Sequence, residues 1–253
     1  MKYRTVLITG ATGGIGEALV SLLSDQNVSQ ILVGRDNKRL LELKAQYPSI
    51  TYIVADLAKE RRAVIDAIWK ERPDLIINNA GFGIYGEAYS LSTEEQLEIL
   101  EVNGKALLEI TLEGIKAMIE RKKEGIILNV SSITAQMPMP LMSVYGASKS
   151  FVSMFSRACD FECKKKGVRV LVSLPGQVGT PFARKAAKSR VVSSDRAVSA
   201  EAMARRILRQ IERRRGVDVY DWRYRVLGVL TKYFLPEALV STVIEKSIRK
   251  RLR

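Results

Sequence analysis

The chain has 253 residues, 47% of them hydrophobic and 27% charged, so it is long enough to bury the core of one large α/β domain. It contains no histidine, which excludes a Ser-His-Asp triad, a histidine-ligated zinc ion and a histidine general base. We therefore expect no metal site, and any proton transfer must use Tyr, Lys, Asp, Glu or Cys.

The net charge of +14 is unevenly distributed along the chain. Residues 184–253 carry 19 Lys and Arg against 7 Asp and Glu, whereas the first two thirds are nearly neutral. A basic region of this kind can meet nucleic acid, anionic lipid or an anionic substrate. No nucleic-acid-binding motif accompanies it and its charges do not alternate with an aromatic platform, so we predict no nucleic-acid partner.

Other features of the sequence bear on cellular location. No window of about 18 residues is apolar and free of charge, so no membrane-spanning helix is expected. An apolar run begins at Thr5, which leaves no room for a cleaved signal before it. Cys159 and Cys163 lie four residues apart in a helical pattern, which is typical of small core residues in a reducing compartment. We expect a cytoplasmic protein.

Apolar runs alternate with amphipathic segments along the chain. The runs are rich in Val, Ile and Leu, as strands buried on both faces should be. They predict strands at Arg4–Thr9, Gln30–Val33, Thr51–Val54, Leu75–Asn78, Gly125–Val130, Val168–Leu174 and, more weakly, Val217–Tyr220. Helical patterns lie at Ile15–Ser24, Lys38–Gln46, Lys59–Lys70, Thr93–Lys122, Val144–Lys166 and Ala200–Arg214. The length of the Thr93–Lys122 segment indicates a kink or a break within it.

This alternation predicts an α/β fold built from βα units. We expect a single Rossmann-type, doubly wound domain over residues 1–253, with a mostly parallel seven-stranded sheet and helices on both faces. Residues 183–199 are polar and basic with little periodicity, and residues 221–253 form a C-terminal helical extension.

A glycine-rich turn follows the first strand and opens the first helix. It reads Thr9-Gly10-Ala11-Thr12-Gly13-Gly14-Ile15-Gly16. Glycines let the backbone turn sharply and approach a phosphate closely, and the helix N-terminus offers free N–H groups to a pyrophosphate. In this strand–turn–helix context the turn predicts a dinucleotide site, with a merely tight turn as the alternative.

The end of the second strand, Val33-Gly34-Arg35-Asp36, indicates which dinucleotide is bound. NAD-binding sites usually have an acidic residue here that holds the ribose 2′-hydroxyl. This chain has Gly34 followed by Arg35, whose guanidinium suits a 2′-phosphate. We therefore predict NADP(H) over NAD(H). Asp36 would weaken this prediction if the register were shifted by two, or it would cap the following helix.

At this point the chain resembles the short-chain dehydrogenase/reductase family. The glycine turn has that family's Thr-Gly-x-x-x-Gly-x-Gly spacing. The other matching motifs are Ala55-Asp56-Leu57, Asn78-Asn79-Ala80-Gly81, Val102-Asn103, Ser131-Ser132, Tyr145-Gly146-Ala147-Ser148-Lys149 and Pro175-Gly176-Gln177-Val178-Gly179-Thr180. Within the family, residues 79–86 resemble the bacterial DltE-like branch. Residues 138–141 and 149–152 are similar to very-long-chain 3-oxoacyl-CoA reductases and hydroxysteroid dehydrogenases.

The resemblance implies roles for these residues. Ser132, Tyr145, Lys149 and Asn103 would be catalytic, with Asn103 keeping a water in a proton relay to Lys149. Cofactor contacts are implied for Gly10, Thr12, Gly13, Gly14, Ile15, Gly16, Arg35, Asp56, Leu57, Asn79, Ala80, Gly81, Tyr145, Lys149, Pro175, Gly176, Val178 and Thr180. Among these, Asp56 would bind the adenine ring and Thr180 the nicotinamide carboxamide. Asn78 is expected to be structural.

Tyr145 and Lys149 also have a chemistry that follows from their spacing. Residues four apart on a helix share a face. A nearby ammonium favours the phenolate, so we expect a pKa for Tyr145 below the usual value of about 10. Tyr145 would donate a proton to a carbonyl oxygen as hydride arrives, and accept it in reverse. Ser132 would hold the substrate oxygen, with the adjacent Ser131 as its competitor.

The basic residues between 183 and 199 have two interpretations. This segment occupies the place where the family builds its substrate-binding loop. Its cations would meet an anionic handle, such as the phosphates of CoA or an acyl carrier protein, or they would only face solvent. They are Arg184, Lys185, Lys188, Arg190 and Arg196.

The tail carries the apolar runs 227–230 and 233–235, and then a stripe at spacing four that ends in a basic cluster. The stripe consists of Val240, Ile244, Ile248 and Leu252. We favour its packing on the domain or on a partner subunit, because an apolar stripe is usually buried in protein. The alternative is peripheral contact of this helix with an anionic membrane surface.

The leading prediction is an NADP(H)-dependent oxidoreductase that interconverts a carbonyl and a secondary alcohol, with lipid-like compounds and acyl thioesters among the candidate substrates. A catalytically silent NADP(H)-binding sensor or scaffold is the alternative, and the intact Ser132, Tyr145 and Lys149 argue against it. The resemblance also implies a homodimer or homotetramer that forms through the helices containing Asn103 and Tyr145. The sequence does not reveal the substrate or the physiological direction.

Overall fold

The computed structural model describes residues 3–26, 28–188 and 197–252, so Arg190 and Arg196 lie outside the described residues. The strands are β1 (Thr5–Thr9), β2 (Ser29–Gly34), β3 (Ile50–Val54), β4 (Leu75–Asn78), β5 (Gly125–Val130), β6 (Val168–Leu174), β7 (Val178–Gly179), β8 (Val198–Ser199) and β9 (Val217–Val219). The α-helices are α1 (Gly14–Ser24), α2 (Asn37–Gln46), α3 (Arg62–Glu71), α4 (Thr93–Leu100), α5 (Leu107–Glu120), α6 (Ser143–Cys163), α7 (Phe182–Ala186), α8 (Ala200–Glu212), α9 (Trp222–Tyr233) and α10 (Glu237–Arg251).

Seven of these strands form one parallel sheet in the order β3-β2-β1-β4-β5-β6-β9, and β7 pairs with β8 in a separate two-stranded sheet. The predicted α/β fold, including the weak strand near residue 217, is confirmed. The chain order reverses between β1 and β4, and in open α/β sheets ligands bind at the carboxyl ends of the strands at such a point. The glycine turn after β1 and the Asn78-Asn79 pair at the end of β4 both lie there.

The sheet is buried on both faces. Val6 and Ile8 of β1 belong to a cluster shared with residues of α1 and α8, whereas Leu7 faces the other side, among residues of α3, α5 and α6. Because alternate side chains of a strand enter opposite cores, the strand reads as a continuous apolar run. Cys159 and Cys163 are buried in the second cluster as free thiols, and burial raises the pKa of Cys159 to about 11.

One predicted helix begins later than expected, and one long predicted segment contains a break. The helix expected from Lys59 begins instead at Arg62, because residues 56–60 form a turn in which the Asp56 carboxylate accepts from the Ala58 N–H. The segment expected as one long helix over 93–122 is broken in the middle. Residues Glu101–Ala106 form a π-helical turn between α4 and α5. The kink or break indicated by its length is therefore confirmed.

A buried carboxylate of the sheet pairs with cations of α8 and of the C-terminal extension. Asp218 of β9 is buried. It pairs with Arg206 of α8, with Arg225 of α9, and with Arg215, which lies between α8 and β9. Three cations of the basic third are therefore committed to one internal carboxylate. Among the residues that the structure describes, none of the helices combines the length and the apolar composition needed to cross a bilayer.

Candidate active site

The glycine turn after β1 is shaped by two residues with positive φ. Gly10 has a φ of 65° and Gly14 a φ of 44°, a region that side chains other than glycine rarely adopt. A Cβ on Gly16 would lie 2.1 Å from the Gly10 carbonyl oxygen, so the start of α1 packs directly on the turn. A Cβ on Gly13 would meet nothing within 4 Å. The space above Gly13 and the first turn of α1, which no side chain caps, therefore suits a pyrophosphate.

The end of β2 lies beside this turn, since a Cβ on Gly34 would touch the Thr12 side chain at 3.0 Å. Asp36 accepts a hydrogen bond from the Arg39 N–H and caps α2, which is the alternative that the sequence left for it. Arg35 leaves its guanidinium 64% exposed, with Nη1 3.9 Å from Glu98 Oε1. The strand end thus offers a cation and no carboxylate of its own to a bound ribose.

Two of the predicted cofactor residues after β3 have structural partners. The Asp56 carboxylate closes the turn that precedes α3, by accepting from Ala58. Leu57 buries its side chain in the core beside α3. The Leu57 side chain is therefore not available to a nucleotide.

Asn78, the last residue of β4, and Asn79, which follows it, have different roles. Asn78 donates from Nδ2 to Thr111 of α5 and to Asn129 of β5, which in turn donates to Ser156 of α6, so it is structural as expected. The Asn79 side chain donates to the carbonyls of Thr9 and Gly10. The Thr9 hydroxyl accepts from the N–H groups of Asn79 and Ala80. Asn79 and Ala80 therefore hold the glycine turn in place.

Asn103 lies in the π-helical turn and is completely buried. Its amide donates to the Phe82 carbonyl and the Ser148 hydroxyl, and its Oδ1 accepts from the Phe82 N–H. A Cβ on Gly81 would lie 2.9 Å from Asn103 Oδ1 and 3.1 Å from Lys149 Nζ. Asn103 therefore braces the loop after β4 against α6, directly beside Lys149.

Tyr145 and Lys149 lie on the buried face of α6, next to the end of β5. Lys149 Nζ donates to the Val130 carbonyl at 3.0 Å and lies 5.8 Å from the centroid of the Tyr145 ring. Ser132 follows β5, and its hydroxyl is within hydrogen-bonding reach of the Tyr145 phenol. Ser131 instead donates to the Lys149 carbonyl. Ser132 is therefore the serine that faces the phenol, and Ser131 holds the backbone of α6.

Burial controls the protonation of both groups. It raises the pKa of Tyr145 to about 12, although the hydrogen bond with Ser132 opposes this rise. It lowers the pKa of Lys149 to about 8. The sequence-based expectation of a lowered Tyr145 pKa is wrong for this structure, because the removal of the phenol from water outweighs any attraction by Lys149. The phenol of Tyr145 is consequently protonated at neutral pH.

The segment after β6 closes the site. Pro175 accepts from the Ile133 N–H, and Val178 lies in β7. A Cβ on Gly14 would lie 2.6 Å from the Thr180 methyl, so this segment contacts the glycine turn. A Cβ on Gly176 would touch the Tyr224 ring of α9 at 3.0 Å. These contacts join the turn, the segment after β6 and the C-terminal extension around one cleft.

Residues 4–191 match the family model for short chain dehydrogenases. This chain belongs to the short-chain dehydrogenase family. It is 32% identical over 224 residues to the uncharacterised short-chain type dehydrogenase/reductase y4eK of Sinorhizobium fredii, covering 86% of this chain and 89% of that protein. The similarity to the DltE-like branch remains a prediction.

Two further relatives bear a cofactor in their names. The NADP-dependent 3-hydroxy acid dehydrogenase YdfG of Escherichia coli is 35% identical over 181 residues, covering 69% of this chain and 72% of that protein. A solved short-chain dehydrogenase from Sphingobium yanoikuyae in complex with NADPH superposes with a TM-score of 0.80 at 25% identity, covering 90% of this chain and 94% of that one.

Sequence reasoning missed two aromatic residues of this short-chain dehydrogenase. The Phe182 ring lies 5.4 Å from the Tyr145 ring, and the half-buried Tyr85 lies close enough to influence the pKa of Tyr145. Both belong to segments without periodicity. Phe182 stands two residues beyond the last motif, and that proximity was the only available signal.

A surface groove between residues 137–140 and the start of α6 is a different feature. It has a volume of about 540 Å³ and is lined by Met137, Pro138, Met139, Pro140, Ser143, Gly146, Ala147 and Ser150. Neither Tyr145 nor Lys149 lines it, so it is separate from the cleft that these residues face.

Proposed function

We propose that this chain is an NADP(H)-dependent oxidoreductase that interconverts a carbonyl group and a secondary alcohol on a small molecule. The observation that carries the proposal is the buried group of Ser132, Tyr145 and Lys149 beside the glycine turn. Three polar side chains of this kind are costly to bury unless they serve a purpose.

The cofactor residues fit the group that the family implies. Gly13 leaves open space at the N-terminus of α1, while Gly10, Gly14 and Gly16 allow the turn to pack closely. Arg35 offers a cation at the end of β2. The names of YdfG and of the Sphingobium structure support NADP(H) as the partner. When bound, the nicotinamide supplies or receives the hydride.

The chain's own groups would then manage the proton. Ser132 and Tyr145 hold the substrate oxygen between their hydroxyls, and Tyr145 donates its proton to that oxygen in the reducing direction. Lys149 holds the nicotinamide ribose and supports the developing phenolate, while Asn103 keeps the loop after β4 in register with α6. The raised pKa of Tyr145 suits reduction, because the phenol stays protonated at neutral pH.

We further propose a homo-oligomer that forms through α4, α5 and α6. Large apolar side chains are exposed on these helices, namely Leu97, Leu100, Leu112, Phe151, Met154 and Phe161. Exposed apolar surfaces of this kind mark interaction sites. We place the protein in the cytoplasm.

An anionic handle on the substrate, as in an acyl thioester, would meet Arg184 and Lys185, which are exposed on α7. Lys188 has a different role, because its ammonium pairs with Glu95 of α4 and fixes the end of the described loop.

Replacing Arg35 with Ala tests the cofactor assignment. We expect the Kd for NADPH to rise about 10- to 100-fold and the Kd for NADH to change little, because charge-assisted hydrogen bonds of about 1.5–3 kcal/mol are lost only with the 2′-phosphate. Fluorescence titration of both nucleotides measures this. Arg205→Ala, at an exposed arginine of α8, is the matched control. Equal affinity of the wild type for NADPH and NADH would contradict the NADP(H) assignment.

The glycine turn offers a second test, in which two neighbouring glycines should separate folding from binding. Gly16→Ala forces a Cβ against the Gly10 carbonyl, so we expect a loss of about 1–3 kcal/mol and a melting temperature lower by several degrees. Gly13→Ala should leave the melting temperature unchanged and weaken NADPH binding at least tenfold, since its methyl enters only the open space. Unchanged NADPH affinity in Gly13→Ala would place the pyrophosphate elsewhere.

A further inference from the structure

The outward face of α9 is apolar, which is unusual for a surface helix. Trp222, Val226, Val229, Leu230 and Tyr233 are all exposed, at the spacing of one helical face. The turn that follows continues this surface, since Phe234 is 73% exposed and Leu235 39%. The exposed face of α10 then carries Leu239 and Val243, followed one and two turns later by Lys246 and Lys250. We call these eleven residues the α9–α10 face.

This face is distinct from the stripe that the sequence indicated. Val240 and Ile248 of that stripe are buried against the chain itself, as the preference for packing expects, whereas Ile244 and Leu252 are half-buried. The inner sides of both helices are already occupied. Arg225 of α9 pairs with Asp218, and Arg249 of α10 pairs with Glu87. These ion pairs hold the inner sides of the helices against the chain, and the apolar side chains on the opposite side remain exposed.

We propose that the α9–α10 face docks on an anionic lipid bilayer, with the two helices lying in the plane of the interface. This inference does not depend on the proposed redox chemistry. Scattered apolar residues on a surface are ordinary, whereas a group of large apolar side chains on one side of two consecutive helices indicates an interaction site. A bilayer suits the composition, because Trp222 and Tyr233 mark the two ends of α9 and such aromatic residues favour the boundary between lipid and water.

Charge distinguishes a membrane from a second copy of the chain. Residues 222–253 contain eight Lys and Arg against two Asp and Glu, and Lys246 and Lys250 border the apolar side chains. A symmetric contact would bring these cations against their own copies, which costs free energy. Anionic headgroups attract them instead. The exposed apolar side chains of α4 have no such basic border, because Glu94, Glu95 and Glu98 lie beside Leu97.

Docking here would place the cleft near the lipid. The inner side of α9 contacts Gln136, which ends the short helix after Ser132, and the Tyr224 ring covers Gly176.

Vesicle co-sedimentation of the full chain tests the proposal. We expect binding to vesicles of phosphatidylcholine mixed with phosphatidylglycerol, and much weaker binding to phosphatidylcholine alone. Val229→Ser/Tyr233→Ser/Phe234→Ser should weaken binding at least tenfold, because three apolar anchors are lost. Lys246→Glu/Lys250→Glu should weaken it on the order of tenfold or more. The matched control is Leu41→Ser/Val54→Ser, which removes exposed apolar residues of α2 and β3, away from both the α9–α10 face and the proposed oligomer surface, and should bind as the wild type does.

A second readout does not require the altered face to remain folded. The chain has two tryptophans, and in a Trp69→Phe variant only Trp222 emits. We expect its emission to shift to the blue when anionic vesicles are added. An unshifted emission, or equal sedimentation of the wild type and the triple variant, would overturn the proposal. So would self-association of the wild type that the triple variant abolishes without any vesicle binding, since a second copy would then cover the face.

Discussion

Tyr145→Phe is expected to lower kcat for carbonyl reduction by about 10³-fold, within the range of 10²–10⁴ that a positioned general acid contributes. The ring that packs against Phe182 is retained, so NADPH binding and the melting temperature should change little. Only the hydroxyl that meets Ser132 is removed. The rate is measured as NADPH oxidation on the best substrate from a screen of ketones and aldehydes.

Tyr89→Phe is the matched control for this variant. The Tyr89 hydroxyl bonds with Glu87 on the surface, and its side chain is exposed, so kcat should be unchanged. A Tyr145→Phe variant that keeps more than a tenth of wild-type kcat would show that another group donates the proton. Wild-type protein that binds NADPH tightly and reduces none of the screened carbonyls would favour the silent sensor.

Lys149→Met should abolish most of the activity and change the pH dependence of stability in a defined direction. Lys149 has a pKa of about 8 when folded, below the usual value of 10.5. Below pH 8 the folded chain carries the full cost of burying the ammonium. Between pH 8 and 10.5 the unfolded chain binds a proton that the folded chain has lost, so the wild type gains stability as pH rises.

The Met variant lacks this titration. We therefore expect the free energy of unfolding of the wild type, relative to the variant, to rise by about 2 kcal/mol between pH 8 and pH 10. Urea unfolding of both proteins at the two pH values measures it, and titrations shared by the two proteins cancel. Lys105→Met, at an exposed lysine of the π-helical turn, should show no such rise. A constant difference between wild type and Lys149→Met would mean that the ammonium is not buried at a cost.

The sheet was predictable because both of its faces are buried, so each central strand is a continuous apolar run bounded by polar residues. The site was predictable where chemistry is tied to a fixed position in a strand–turn–helix unit, as for Gly10, Gly16 and the Tyr145–Lys149 pair. The start of α3 was predicted too early because Asp56 accepts from a local N–H group in a turn. Such a turn competes with the helix for the same backbone groups, and the spacing of apolar residues does not reveal it.

Two properties could not be obtained from the sequence. The pKa of Tyr145 depends on how completely Phe182, Gly83 and the loop around Tyr85 exclude water, and these contacts are long-range. The direction in which α9 points its apolar side depends on where Arg225 and Gly228 find partners, at Asp218 and Gln136. The periodicity of α9 reveals an apolar side but not which neighbour, if any, covers it.

The π-helical turn at Glu101–Ala106 has a consequence for the evolution of this segment. A turn closed by i→i+5 bonds holds about one residue more than the α-helix that would span the same rise. The extra residue rotates the side chains of α5 by about 100° around the helix axis, relative to the positions they would have if α4 continued as a regular helix. A single-residue deletion between α4 and α5 would restore a regular helix, yet it would turn Asn103 away from Phe82 and Ser148. A regular helix here would therefore lose the contacts of Asn103 that brace the loop after β4. We expect insertions and deletions in residues 93–120 to be tolerated less than substitutions on the exposed side of the same helices.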